Sequence, residues 1–100
     1  MPRQGPVSEV TAIGGRAVIR LPETPTSGYV WELAEAPDST RVVGDHYQQE
    51  HSTRVAGGGG ERVLEVEVRA EASVELVFEL RRPWESEPLE RRQVVVRNEP

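Results

Sequence analysis

His46 and His51, with Asp45 and Glu50 beside them, are the residues of this 100-residue chain that most directly suggest metal chemistry. Their spacing argues against it. Residues five apart on an extended segment point to opposite faces, and the sequence holds no third histidine. Two solvated surface histidines fit better, and no metal or other cofactor is expected. Glu65, Glu67, Glu75 and Glu79 alternate with apolar residues, so they line the solvated faces of strands rather than pairing for acid–base work. The absence of cysteine removes disulfides, thiolate metal ligands and a cysteine nucleophile, and fits an oxidising or a reducing compartment alike. With no nucleophile–base constellation in view, the chain reads as a protein that binds rather than an enzyme.

Three other stretches have the chemistry of recognition. Thr24-Pro25-Thr26-Ser27-Gly28-Tyr29 is a turn by composition, since Pro25 fixes one φ and Gly28 supplies a positive one. Its small hydroxyls also suit a contact loop. Gly57, Gly58, Gly59 and Gly60 form either a floppy hairpin tip or bare backbone meant to approach another surface closely. Arg82-Pro83-Trp84 places a stiffened aromatic among charges; Trp84 either tucks into the core or stands out as an anchor. Arg82 either pairs with a partner or braces its loop against Glu85.

The elements that must position these stretches are strands. Valine outnumbers leucine fifteen to six, a β-branched excess that favours extended structure. Residues 7–13 and 16–21 read as strands joined by a Gly14-Gly15 turn. Residues 29–34 follow, with Tyr29, Trp31 and Leu33 on one face. Residues 40–55 are polar, with weak strand character. Residues 61–69 and 73–81 alternate cleanly, with Leu64, Val66, Val68, Val74, Leu76, Phe78 and Leu80 inward, and residues 89–97 end the series. No window carries a helical period. The pattern predicts an all-β fold, an antiparallel immunoglobulin-like β-sandwich of about seven strands. It is a single domain over residues 1–100, with its core at about 7–97 and short frayed termini. Alternate connections of consecutive antiparallel strands leave from one end. The three chemically unusual loops, second to third strand, fourth to fifth and sixth to seventh, are therefore expected together.

Charge narrows the class of partner. The net charge is −5, which disfavours a phosphate backbone, and no stretch approaches a membrane span; neither nucleic acid nor a membrane is expected. All twelve basic residues are arginine, a bias that hints at a GC-rich bacterial genome. The N-terminus lacks the apolar run of a secretory signal, which leans toward a cytoplasmic location if the chain is full length.

Taken in order, the three loops resemble the chagasin-type inhibitors of papain-like cysteine peptidases. That family is marked by an Asn-Pro-Thr-Thr-Gly-aromatic segment, a Gly-x-Gly-Gly segment and an Arg-Pro-Trp segment. Here Thr24 stands in the place of the Asn and Ser27 in that of the second Thr; Trp31 matches the family's Gly-aromatic-x-Trp habit. The resemblance implies a wedge of three loops that enters the peptidase cleft. Thr24, Pro25, Thr26, Ser27, Gly28 and Tyr29 would lie at the catalytic Cys–His pair, with Gly57–Gly60 and Arg82, Pro83 and Trp84 on either side. The partner it implies is a papain-like cysteine peptidase, held reversibly by a monomeric inhibitor. Thr caps a turn less well than Asn, so the central loop is expected to be less rigid than the family pattern. The competing reading is a non-catalytic sandwich module that uses the same loops on a non-peptidase protein.

Overall fold

Alternation at period two sets the architecture directly. In the computed structural model, which describes residues 1–49, 59–69 and 73–99, the eight strands are β1 (Arg3–Gln4), β2 (Ser8–Ile13), β3 (Arg16–Glu23), β4 (Val30–Glu35), β5 (Thr40–Gln49), β6 (Gly60–Val68), β7 (Val74–Arg81) and β8 (Glu90–Glu99). They are hydrogen-bonded in the order β4-β7-β8-β2-β3-β6-β5, with β1 also on β8. A single Ile13↔Arg16 pair joins β2 to β3. There the sheet folds over, and its two halves face each other across the core as a sandwich. Gly14 and Gly15 make that junction with φ of 60° and 81°, the left-handed conformation that a two-residue hairpin turn needs.

β1 and β2 both run parallel to β8, and every other seam, β7–β8 included, is antiparallel. The first long strand therefore lies beside the last, a pairing that alternation alone does not specify. Inward residues of both halves, among them Ile19, Leu21, Trp31, Leu64, Val66, Leu76, Phe78, Val94 and Val96, form one continuous core. Trp31 is its largest member; its Nε1 donates to the Pro22 carbonyl at 2.7 Å, so burial of the indole leaves no orphan donor. Pro22 is tolerated inside β3 because at that point β3 has a strand neighbour on one side only, β6.

The outer faces carry arginine–glutamate pairs across neighbouring strands, Arg16 with Glu67, Arg81 with Glu32, Arg91 with Glu79 and Arg97 with Glu9, and Arg91 also reaches past β7 to Glu35 on β4. Exposed pairs of this kind contribute little individually. Their role is to solvate the valine-rich strands.

The N-terminus is not frayed as the composition suggests. Arg3 N–H donates to the Leu89 carbonyl (3.0 Å) and Gly5 N–H to that of Arg91 (2.9 Å), laying residues 3–5 along the start of β8. Of the polar segment 40–55, residues 40–49 form the edge strand β5; the remainder lies outside the described residues, as does His51. His46 is exposed on β5.

Candidate functional site

The ends of six strands converge on one end of the sandwich. Glu23 pairs with Gly60 and Gly60 with Gln49, while Val30 pairs with Arg81 and Leu80 with Glu90. The connections β3–β4, β5–β6 and β7–β8 therefore leave from the same end, as the strand count predicts. Gly57 and Gly58 lie outside the described residues. The other eleven residues picked out by sequence are at this end, where Arg82 joins the central loop to the Trp84 loop.

The central loop is more ordered than Thr24 alone would make it. Pro25–Ser27 form one turn of 3₁₀-helix, and the Thr24 side chain makes no capping hydrogen bond. Ser27 supplies the closure instead. Its backbone N–H and its hydroxyl both donate to the Thr24 carbonyl (3.0 and 2.6 Å), and the hydroxyl accepts from Tyr29 N–H at 3.2 Å. Gly28 ends the turn at φ 81°, with its N–H on the Pro25 carbonyl (3.1 Å). A left-handed φ of this size is why the position is glycine.

Arg82 joins this loop to the next. Its Nε donates to the Ser27 carbonyl at 3.1 Å, and its guanidinium lies 4.4 Å from the centroid of the Tyr29 ring and 5.9 Å from that of Trp84. Its Nη1 stands 3.7 Å from the Glu85 carboxylate. Of the two roles open to Arg82, a partner contact or a brace, the structure shows the bracing contacts, and they reach the central loop as well as Glu85. Cation–π contacts at such partly exposed sites stabilise by roughly 0.5–1 kcal/mol each. The larger effect is geometric: one side chain ties the β3–β4 and β7–β8 connections together. Trp84 itself is 75% exposed, so it is not a core residue, whereas Trp31 is 1% exposed.

The glycine run divides. A side chain on Gly59 would reach Thr24 Oγ1 at 3.4 Å, an ordinary contact, so Gly59 sits beside the central loop without needing to be glycine for packing. Gly60 is different: it is buried within β6, and a methyl group there would collide with the Gln48 carbonyl and the Tyr47 hydroxyl. The expectation of bare backbone for insertion therefore does not extend to Gly60. Its missing side chain makes room for Tyr47.

Two buried carboxylates at the roots of the loops escaped the sequence reading. Glu23 continues the inward series Ala17, Ile19, Leu21 and is 5% exposed. It accepts the Trp31 backbone N–H (3.0 Å) and two bonds from Arg62, at 3.1 Å from Nε and 2.7 Å from Nη2. Arg62 also reaches Asp45 at 3.0 Å. The Glu23 hydrogen bond outweighs the cost of burial and, with Asp45, raises the Arg62 pKa further, so the guanidinium stays charged. This fork ties β3, β4, β5 and β6 together directly beneath Thr24 and Gly59. The signal was present as an acid at an inward position of a period-two series.

Glu90, 4% exposed, plays the matching part under the third loop. Arg3 donates to it from Nε and Nη2 (3.2 and 2.7 Å) and Arg92 from Nε (2.6 Å), while the Arg92 guanidinium lies 5.4 Å from the Trp31 ring centroid. Burial pushes the Glu90 carboxyl up, but the bonds from Arg3 and Arg92 and their charges together outweigh it and hold it below its ordinary value of 4.5. A carboxyl with a folded pKa below its unfolded one contributes stability that is complete above about pH 5, and that stability is lost as the pH falls through the folded value. Glu90→Gln is therefore expected to lower the melting temperature at pH 7 and to melt closer to the parent at pH 3. Thermal unfolding at the two pH values checks this; an equal difference at both would remove the assigned role of the charge.

Comparison with known proteins agrees with this geometry. The model of the family described as Chagasin family peptidase inhibitor I42 matches residues 11–97. A search of curated proteins finds no significant match. Among solved structures the chain is similar to the cysteine protease inhibitor EhICP2 from Entamoeba histolytica, with 21% identity, TM-score 0.69, 95% of this chain and 100% of that one. It is also similar to amebosin, with 20% identity, TM-score 0.67, 99% and 100% covered. A third is PbICP-C, solved in complex with falcipain-2, with 13% identity, TM-score 0.59, 99% and 94% covered. At these identities the structural likeness speaks for the fold; the family rests on the match over residues 11–97. The chain belongs to the chagasin family of peptidase inhibitors.

Proposed function

We propose that this chain is a reversible inhibitor of papain-like cysteine peptidases and that the loop end of the sandwich enters the active-site cleft. The observation that carries the reading is the locking of the central loop and the Trp84 loop into one face through Arg82, with Gly59 alongside. A face organised before binding loses less freedom on association than three independent loops. The family membership and the likeness to PbICP-C, solved with falcipain-2, support a peptidase as the partner.

The central loop also has a built-in reason to survive contact with a nucleophile. A substrate must lie extended and offer a free scissile carbonyl to attack and to oxyanion donors. Pro25–Ser27 are instead wound into a 3₁₀ turn, and the carbonyls of Thr24, Pro25 and Ser27 already accept from Ser27, Gly28 and Arg82 respectively. Thr26 and the hydroxyl-bearing face of the turn would fill the cleft at the catalytic pair, Gly59 would let backbone lie against one wall, and Trp84 would anchor on the other side.

Binding to one peptidase in two forms tests this. The chain is expected to bind papain with its cleft free and to lose that binding when a covalent substrate-like blocker fills the cleft. Equal binding to both forms would place the contact elsewhere on the enzyme.

A further inference from the structure

The N-terminal arm lies at the same end as the three loops. β1 runs parallel to β8 with Arg3 opposite Glu90 and Gln4 opposite Arg91, and β8 begins where the Trp84 loop ends. Traced backward from Arg3, the chain therefore heads toward the loop face, past Leu89. The arm is tied down rather than loose. Its anchors are the Arg3 and Gly5 backbone bonds, the Arg3–Glu90 pair, and close packing of Gly5, where a methyl group would run into the Glu90 carboxylate and meet Arg92 at 2.8 Å. Met1 is fully exposed and Leu89 43% exposed, so this side of the face presents an apolar lip next to the loop that carries Trp84. These residues precede or flank the motifs by which the chain is recognised, and the family match begins only at residue 11.

We infer that Met1 and Pro2, which lead into the Arg3–Glu90 clamp, form a fourth contact element that covers the peptidase beside the Trp84 anchor. The inference rests on the reading that the loop end meets a peptidase, and it adds a segment that none of the three loops contains. Apolar side chains packed at the edge of an anchor exclude water from it. The far end of β8, where Glu99 pairs with Ile13, is the opposite pole of the sandwich, away from the Trp84 and central loops.

The test compares four proteins against papain by inhibition of a fluorogenic peptide: the unfused chain, a fusion carrying a small soluble domain on Met1 through a cleavable linker, the same domain fused after Pro100, and a form lacking Met1 and Pro2. The N-terminal fusion is expected to inhibit about tenfold or more weakly and to recover when the domain is cleaved off, while the C-terminal fusion matches the unfused chain. The form beginning at Arg3 keeps the clamp and is expected to lose about tenfold, the low end of what burying one methionine side chain supplies. An N-terminal fusion as potent as its cleaved product overturns the inference, as does a shortened form that inhibits as well as the parent. If the unfused chain does not inhibit, the peptidase reading itself falls and this contact falls with it; that control separates the two failures.

Discussion

Trp84→Ala is expected to weaken peptidase inhibition by about 2–4 kcal/mol, the range of a hot-spot aromatic, while stability changes by no more than about 0.5 kcal/mol. The first half follows from a large, rigid aromatic on a proline-stiffened loop, fully displayed at the end of the molecule. The second follows from its 75% exposure, since truncation of a side chain that packs on so little opens no cavity. The Arg82 guanidinium loses a ring 5.9 Å away but keeps the nearer Tyr29 ring and the Ser27 carbonyl, so the central loop keeps its brace. Inhibition constants and urea midpoints on the same preparation check the pair of expectations. A large fall in stability would mean that Trp84 supports the fold, and unchanged inhibition would remove it as the anchor.

The largest effect on stability is expected from Arg62→Ala, at about 3 kcal/mol in urea unfolding. Removing one partner of a buried ion pair costs about 3–5 kcal/mol because the other charge is left without compensation. The Glu23 side chain is 2% exposed and would keep only the Trp31 N–H, whereas Arg62 itself is 18% exposed, which places the expected cost toward the low end. Glu23 immediately precedes Thr24, so loss of the fork loosens the root of the central loop. Inhibition is therefore expected to fall in the variant even under conditions where it remains folded. A loss below about 1 kcal/mol would show that water replaces Arg62 at no great cost, and that the fork does not hold the loop.

Those two residues also mark the boundary of what the sequence discloses. The strands β6 and β7 are legible because Leu64, Val66 and Val68, then Val74, Leu76 and Phe78, alternate with charges (Val77 apart), and one face of each is buried. β5 is barely legible because it is an edge strand, hydrogen-bonded on one side only to β6, and a polar sequence is tolerated there. Glu23 and Glu90 hide for the opposite reason. A glutamate reads as solvated, and only the fold reveals the arginines, 39 residues away along the chain for Arg62 and 87 for Arg3, that let each be buried. The parallel β2–β8 seam and the N-terminal arm are likewise long-range facts with no local signature.

The β3–β4 and β7–β8 loops were legible in kind and in place: turn chemistry named them, and strand parity put them at one end. Their internal roles were not. Ser27, a departure from the family pattern, closes the turn that Thr24 does not cap. Arg82 bonds a carbonyl 55 residues back along the chain. Gly60 serves the packing of Tyr47, although in sequence it is indistinguishable from the glycine before it.

Whether this face closes a peptidase cleft is decided by titrating papain with the protein against a fluorogenic peptide and then weighing the recovered protein by mass spectrometry. Inhibition is expected to be tight, competitive with substrate and reversible on dilution, with the chain recovered uncut between Thr24 and Tyr29. Cleavage within that loop would contradict it by showing a substrate. So would full activity in the presence of folded protein across several papain-like enzymes, which would leave a sandwich whose loop end serves a different partner.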